Sequence, residues 1–97
     1  MTEAPPTDQP LADQVIVVTG GGGGIGSAIS QRLARAGATI VVTYRTDRAK
    51  AEAVAASLPK AEHLVACASV TDSEALGELA MQIQERYGRL DALVNNA

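Results

Sequence analysis

Between Val15 and Gly26 the chain reads VIVVTGGGGGIG. Four apolar residues suited to a buried strand run through Thr19 into five successive glycines, Gly20 to Gly24, and then into Ile25 and Gly26. The segment Ser27-Ala28-Ile29-Ser30-Gln31-Arg32-Leu33 follows, with the spacing of an amphipathic helix. A strand, a tight glycine turn and a helix start make an anion site. Glycine lets the backbone turn sharply and come close to a phosphate. The helix start presents N–H groups without intrahelical acceptors, and its dipole favours a nearby negative charge by about 0.3–2 kcal/mol. The expected ligand is the diphosphate of a dinucleotide cofactor, cradled by Gly20, Gly24 and Gly26 and the residues between them.

The glycine run fits more than one register. Gly21, Gly23 and Gly26 also satisfy G-x-G-x-x-G. A mononucleotide P-loop would need Lys after the last glycine, where Ser27 stands, so that reading fails. A polyglycine linker is the bland alternative. The Val-rich strand on one side and the apolar-periodic helix on the other speak against it.

The elements that must hold this turn alternate along the chain. Gln14–Val18 reads as a first buried strand and Gly24–Ala36 as a helix with Ile25, Ile29 and Leu33 on one face, stopped by Gly37. Thr39–Thr43 is a second, β-branched strand. Asp47 caps a second helix that runs to about Leu58, where Pro59 ends it, and Glu62–Ala66 is a short third strand. Thr71 or Asp72 starts a third helix with Leu76, Leu79, Ile83 and Tyr87 in one stripe; Gly88 closes it, and Leu90–Val94 is a fourth strand. Alternation of this kind predicts an α/β fold: a Rossmann-type doubly wound parallel sheet, βαβαβαβ, with strand order 3-2-1-4 and the ligand at the carboxyl ends of the strands. Strands one and two should hold its centre.

Composition bounds the partners. With 97 residues the chain makes at most one small domain, and with two tyrosines and no Trp or Phe its core must be aliphatic. A net charge of −3 without a basic cluster argues against nucleic acid. The start, MTEAPPTDQPLADQ, has neither a secretory signal nor a membrane span and reads as a flexible leader over residues 1–12, ahead of a unit over residues 13–97. A single cysteine, Cys67, fits a reducing, cytoplasmic setting.

Thr19-Gly20-x-x-x-Gly24-Ile25-Gly26, together with Asn95-Asn96-Ala97 after the fourth strand, resembles the short-chain dehydrogenase/reductase family over about Leu11 to Ala97. The resemblance implies hydride transfer between a nicotinamide dinucleotide and a small carbonyl or alcohol, in a parent protein that is a homo-oligomer. It also implies that Gly22 and Gly23 bring backbone to the cofactor phosphates and that Ile25 lies near the diphosphate or nicotinamide. Asn96 and Ala97 would bring backbone against the adenosine half, and Asn95 would tie the fourth strand to its neighbours. Where the family commonly has Asp-Val after the third strand, this chain has Ser69-Val70, which weakens the expected contact with adenine. Gly23 also stands where some NADP-preferring members carry a basic residue.

Cofactor choice turns on the end of the second strand. NAD sites usually place an acid there for the ribose 2′-hydroxyl. Here Tyr44 stands at that position, followed by Arg45 and Thr46. A guanidinium can pair bidentately with a 2′-phosphate, and Thr46 adds a hydroxyl, so NADP is expected over NAD. The alternative for Arg45 is a solvated loop cation.

The family's catalytic serine and its Tyr-x-x-x-Lys have no counterpart here. Tyr44 is followed at that spacing by Arg48, and Tyr87 by Asp91. Tyr87 reads as packing, Cys67 as a small core residue, and His63 as a surface or half-buried histidine; one His and one Cys give no metal set. The chain is therefore expected to be the N-terminal, cofactor-binding half of a reductase, truncated after the fourth strand and unable to turn over alone. The competing readings are a complete, non-catalytic dinucleotide-binding module and a structural α/β domain that uses the glycines only for close packing.

Overall fold

A computed structural model describes residues 10–59, 62–69 and 72–96; Val70, Thr71 and Ala97 lie outside them. The elements run β1 (Val15–Thr19), α1 (Gly24–Arg35), β2 (Thr39–Tyr44), α2 (Arg48–Ser57), β3 (Leu64–Cys67), α3 (Ser73–Tyr87) and β4 (Ala92–Asn95). All strand pairs are parallel and the sheet order is β3-β2-β1-β4, as the alternation predicts.

The two central strands alternate between two cores. Ile16, Val18, Ile40 and Val42 point to one face, where Ala34 of α1 and Ala51 of α2 pack on them with Leu58. Val15, Val17 and Val41 point to the other, against Leu79 and Ile83 of α3. Successive strand residues face opposite ways, so a strand apolar throughout must be covered twice. Each buried Val or Ile contributes roughly 1.5–3 kcal/mol. The aliphatic core and the α3 stripe follow the sequence expectation: Leu79 and Ile83 are buried, and Leu76 and Tyr87 pack beside them.

Local signals set the helix ends. Asp47 caps α2, its carboxylate accepting from Lys50 N at 3.0 Å. Asp72 caps α3 through the amides of Glu74 and Ala75 at 3.1 and 3.0 Å. Gly88, at φ +74°, ends α3 in the left-handed conformation that glycine adopts without strain. Helix α1 differs: Gly23 at its N-cap provides no side chain to bond its first amides.

Four expectations need correction. The third strand runs Leu64–Cys67 rather than Glu62–Ala66. The fourth strand begins at Ala92 rather than Leu90, because Asp91 occupies the first rung with its side chain. Asp91 N donates to Val15 O at 2.9 Å, while Val15 N donates to the Asp91 carboxylate at 2.7 Å. Leu90 is left half exposed. Cys67 is exposed at the end of β3 rather than in the core, its thiol 3.7 Å from Arg45 O. Ile25 does not share the buried face of Ile29 and Leu33: it is 73% exposed, on the first turn of α1, ahead of the residues that cover the sheet.

Candidate cofactor-binding site

The site grows out of the carboxyl end of β1. Gly20 turns the chain at φ +64°, and its carbonyl accepts from Gly23 N at 3.2 Å. Gly21 N donates to Thr43 O at 3.2 Å, tying the turn to β2. Helix α1 then starts at Gly24, and Ser27 N donates to Gly23 O at 2.7 Å. The amides of Gly24, Ile25 and Gly26 have no intrahelical acceptor, as at every helix start.

The glycines divide into two groups. A Cβ on Gly26 would sit on the Gly20 carbonyl oxygen and 2.8 Å from Asn96 Nδ2, so only glycine allows α1 to approach the turn this closely. Gly21 and Gly22 are also held by neighbours: added Cβ atoms would stand 3.0 Å from Val18 O and 3.1 Å from Ala51 N. Gly24 faces open space, with nothing within 4 Å of such a Cβ, and Gly23 would meet only Gly20 O at 3.7 Å. Packing therefore accounts for one group. It does not account for Gly23 and Gly24, whose bare backbone borders solvent where the N–H groups emerge.

The end of β4 clamps this turn. Thr19 Oγ1 lies 3.2 Å from both Val94 O and Asn95 Oδ1, and it accepts from Asn96 N at 2.9 Å. Asn96 Nδ2 donates to Gly20 O at 3.2 Å. Asn95 thus ties β4 to β1, as expected. Asn96 holds the glycine turn through both its side chain and its amide, a role the sequence reading did not assign.

A cleft of about 350 Å³ joins the turn to the end of β2. Gly20, Gly22 and Gly23 form one wall, and Thr43 to Asp47 with Lys50 form the other. The structure thus brings together three of the glycines with Tyr44, Arg45 and Thr46. Gly24, Ile25, Gly26, Ser69 and Asn96 do not line this cleft, and Val70 and Ala97 fall outside the described residues. Lys50 was missed. Its signal was present, since it stands three residues past the capping Asp47.

Three cations surround the start of α2, and one is committed. Arg48 bonds Glu52 at 2.8 Å and Tyr44 OH at 3.0 Å, with its guanidinium 5.9 Å from the tyrosine ring centre. Among the described residues, the side chains of Arg45 and Lys50 have no ion-pair partner. An anion entering the cleft meets those two.

Other sequence candidates turn out to be structural. His63 accepts from Ile40 N at 2.9 Å through Nδ1 and has Nε2 2.6 Å from Pro59 O, which fixes Nε2 as the donor. Tyr87 OH donates to the Glu62 carbonyl, and burial pushes the Tyr87 phenol above its ordinary range. Among the described residues no three His, Cys, Asp or Glu gather as a metal site, and no helix is long and apolar enough to cross a membrane. A second hollow, about 350 Å³ between α3 and the sheet, is walled mainly by apolar residues such as Val17, Leu76, Leu79 and Leu93, with Thr19, Thr43 and Asn95 as its polar members and no charged side chain in its lining.

A doubly wound sheet with an uncapped glycine turn at its switch point defines a dinucleotide-binding architecture. The comparisons with known proteins specify it further. Residues 14–97 match the family model of short chain dehydrogenases, and the chain belongs to that family. The short-chain dehydrogenase/reductase FrzI of Cladobotryum sp is 43% identical over 89 residues, which cover 90% of this chain and 34% of that protein. A crystal structure of a dehydrogenase/reductase from Sinorhizobium meliloti superposes with a TM-score of 0.83 at 38% identity, covering 94% of this chain and 37% of that one. A metagenomic short-chain oxidoreductase, solved in complex with NADP, matches with a TM-score of 0.77 at 38% identity, over 90% of this chain and 40% of its own. The chain spans about a third of the length of the curated relatives it matches.

Proposed function

We propose that this chain binds NADP(H), and that it is the cofactor-binding part of an oxidoreductase acting on a carbonyl or alcohol. The observation that carries the reading is the cleft in which the open backbone at Gly23 shares a space with Arg45 and Thr46. The free amides at the start of α1 would hold the diphosphate, with the α1 dipole adding to their attraction. Tyr44 leaves the end of β2 without a carboxylate, and Arg45, next in the chain, would pair with the 2′-phosphate. When bound, such a cofactor supplies or accepts a hydride at its nicotinamide. The neighbour solved with NADP supports the same choice by analogy.

Tyr87 packs on the α3 core and Tyr44 stands at the cleft with its hydroxyl bonded by Arg48, and neither is followed by lysine four residues on, so the 97-residue chain is expected to bind without turning over. Titration of the chain with NADPH and NADH, followed by the cofactors' own fluorescence, tests the reading. NADPH should bind more tightly. An exposed charge-assisted pair with phosphate is worth about 1–2 kcal/mol, so Arg45→Ala should weaken NADPH roughly five- to thirtyfold and leave NADH nearly unchanged. Equal losses for both cofactors would remove Arg45 from the 2′ site.

A further inference from the structure

We infer that Lys50 is a second specificity-determining cation, facing the same 2′-phosphate as Arg45 from the first turn of α2; the inference rests on the NADP reading above. The starting point is a charge arrangement that folding alone disfavours. A helix is stabilised by acids in its first turn and bases in its last. Beyond its cap, Asp47, helix α2 departs from this pattern: its first turn holds Arg48 and Lys50 with no acid, and its last turn holds no base. Arg48 has a local explanation, since Glu52 lies one turn along and pairs with it at 2.8 Å. Lys50 has none. Among the described residues its ammonium has no ion-pair partner, and it lines the cleft with Arg45, Thr46, the glycine turn and Asp47, whose carboxylate is engaged by the Lys50 amide.

The cap explains where Lys50 is held. Asp47 accepts from the Lys50 backbone amide at 3.0 Å, which fixes that residue in the first turn. A Cβ on Gly22 would stand 3.1 Å from Ala51 N, so the turn and the start of α2 lie close together with no room for a side chain between them. A dianion in the cleft would therefore face Arg45 from the end of β2 and Lys50 from α2, on two elements rather than one. It would also compensate a helix that has its cations at the wrong end. Departures from local preference of this kind are expected where a site needs them.

The probes are 2′,5′-ADP, which carries the 2′-phosphate, and 5′-AMP, which does not, titrated calorimetrically against the full chain. Lys50→Gln should weaken 2′,5′-ADP about three- to tenfold, flatten its salt dependence and leave 5′-AMP within about twofold; Lys50→Arg should restore the preference. The substitution removes an unfavourable cation–dipole contact, so the melting temperature of Lys50→Gln should not fall. If Arg45→Ala abolishes the preference for 2′,5′-ADP and Lys50→Gln leaves it intact, the role of Lys50 is overturned and the NADP reading stands. Equal weakening of both probes by Lys50→Gln overturns it as well, as a general rather than a 2′-specific effect. If the unsubstituted chain binds the two probes alike, the NADP reading fails and this inference fails with it.

Discussion

Two neighbouring glycines should separate stability from binding, in opposite directions. In Gly24→Ala the new methyl meets nothing within 4 Å, so no packing penalty arises. Alanine in a helix is favoured over glycine by up to about 1 kcal/mol, and less in a first turn, so this variant should be as stable as the parent or more so. In Gly26→Ala the methyl collides with the Gly20 carbonyl and crowds Asn96 Nδ2 at 2.8 Å. Backbone atoms cannot rotate away, so the turn must move off α1 and strain the 3.2 Å bonds Gly23 N–Gly20 O and Asn96 Nδ2–Gly20 O. Overpacking costs about 1–3 kcal/mol, and the propensity gain offsets about 1, leaving a net loss of roughly 0–2 kcal/mol. At 4–8 °C per kcal/mol for a domain of this size, Gly24→Ala should melt at or slightly above the parent temperature and Gly26→Ala up to about 15 °C below it. Both should bind NADPH at least tenfold more weakly, for different reasons: one methyl blocks the approach of the diphosphate, and the other displaces the cradle. Thermal melts paired with cofactor titration give both numbers. A Gly24→Ala variant that melts higher and binds as tightly as the parent would refute the claim that the open backbone at this position faces the cofactor.

Two further predictions concern the scaffold. Ser30 is fully buried and its hydroxyl has no hydrogen-bond partner among the described residues, so Ser30→Ala should raise stability by about 1 kcal/mol through relief of an unsatisfied group and better helix propensity; a loss of that size in chemical denaturation would mean the hydroxyl is satisfied after all. The Asp91 carboxyl is held below its ordinary value of 3.8, first by Arg89 and then by the Val15 amide. A depressed carboxyl contributes stability above its unfolded value and loses it as pH falls through the folded one. The advantage of the parent over Asp91→Asn in melting temperature should therefore shrink below about pH 4, and a gap that stays constant into strong acid would count against the Asp91 clamp.

The fold was legible because its signals are local and repeated. The β-branched runs at Val15–Val18 and Thr39–Thr43, the caps Asp47 and Asp72, and the stops Gly37 and Gly88 each specify an element, and parallel alternation then leaves few topologies. What the sequence missed depends on atoms that meet only after folding. Ile25 has the right spacing for the core, yet the helix begins before the sheet can cover it. The clamp of Asn96 on the Gly20 carbonyl joins residues 76 apart, and no periodicity reports a side chain turning back to grip a loop. Within the glycine run, identical residues carry different duties: Gly26 is required by contact, and Gly24 is free of contact. One-letter spacing cannot distinguish those cases.

Lys50 shows how the missed part could have been read. Charge pattern is visible in the sequence, and a helix start with two bases and no acid after its cap is locally inconsistent. Such an inconsistency costs a few tenths of a kcal/mol, too little to break the helix and too little to be noticed in a hydrophobic pattern. It becomes informative only once Arg48 has been assigned to Glu52, which leaves one cation unexplained beside the cleft. The same logic applies to the uncapped start of α1. Helices α2 and α3 each recruit an aspartate to their first amides, whereas the start of α1, behind a glycine turn, has no side-chain cap. An aspartate at that N-cap would stabilise the helix by about 1 kcal/mol and would place a carboxylate where the proposed diphosphate would lie. The absence of that stabilisation at α1, in a chain that uses it twice elsewhere, is what a binding role for the turn requires and what a purely structural role does not.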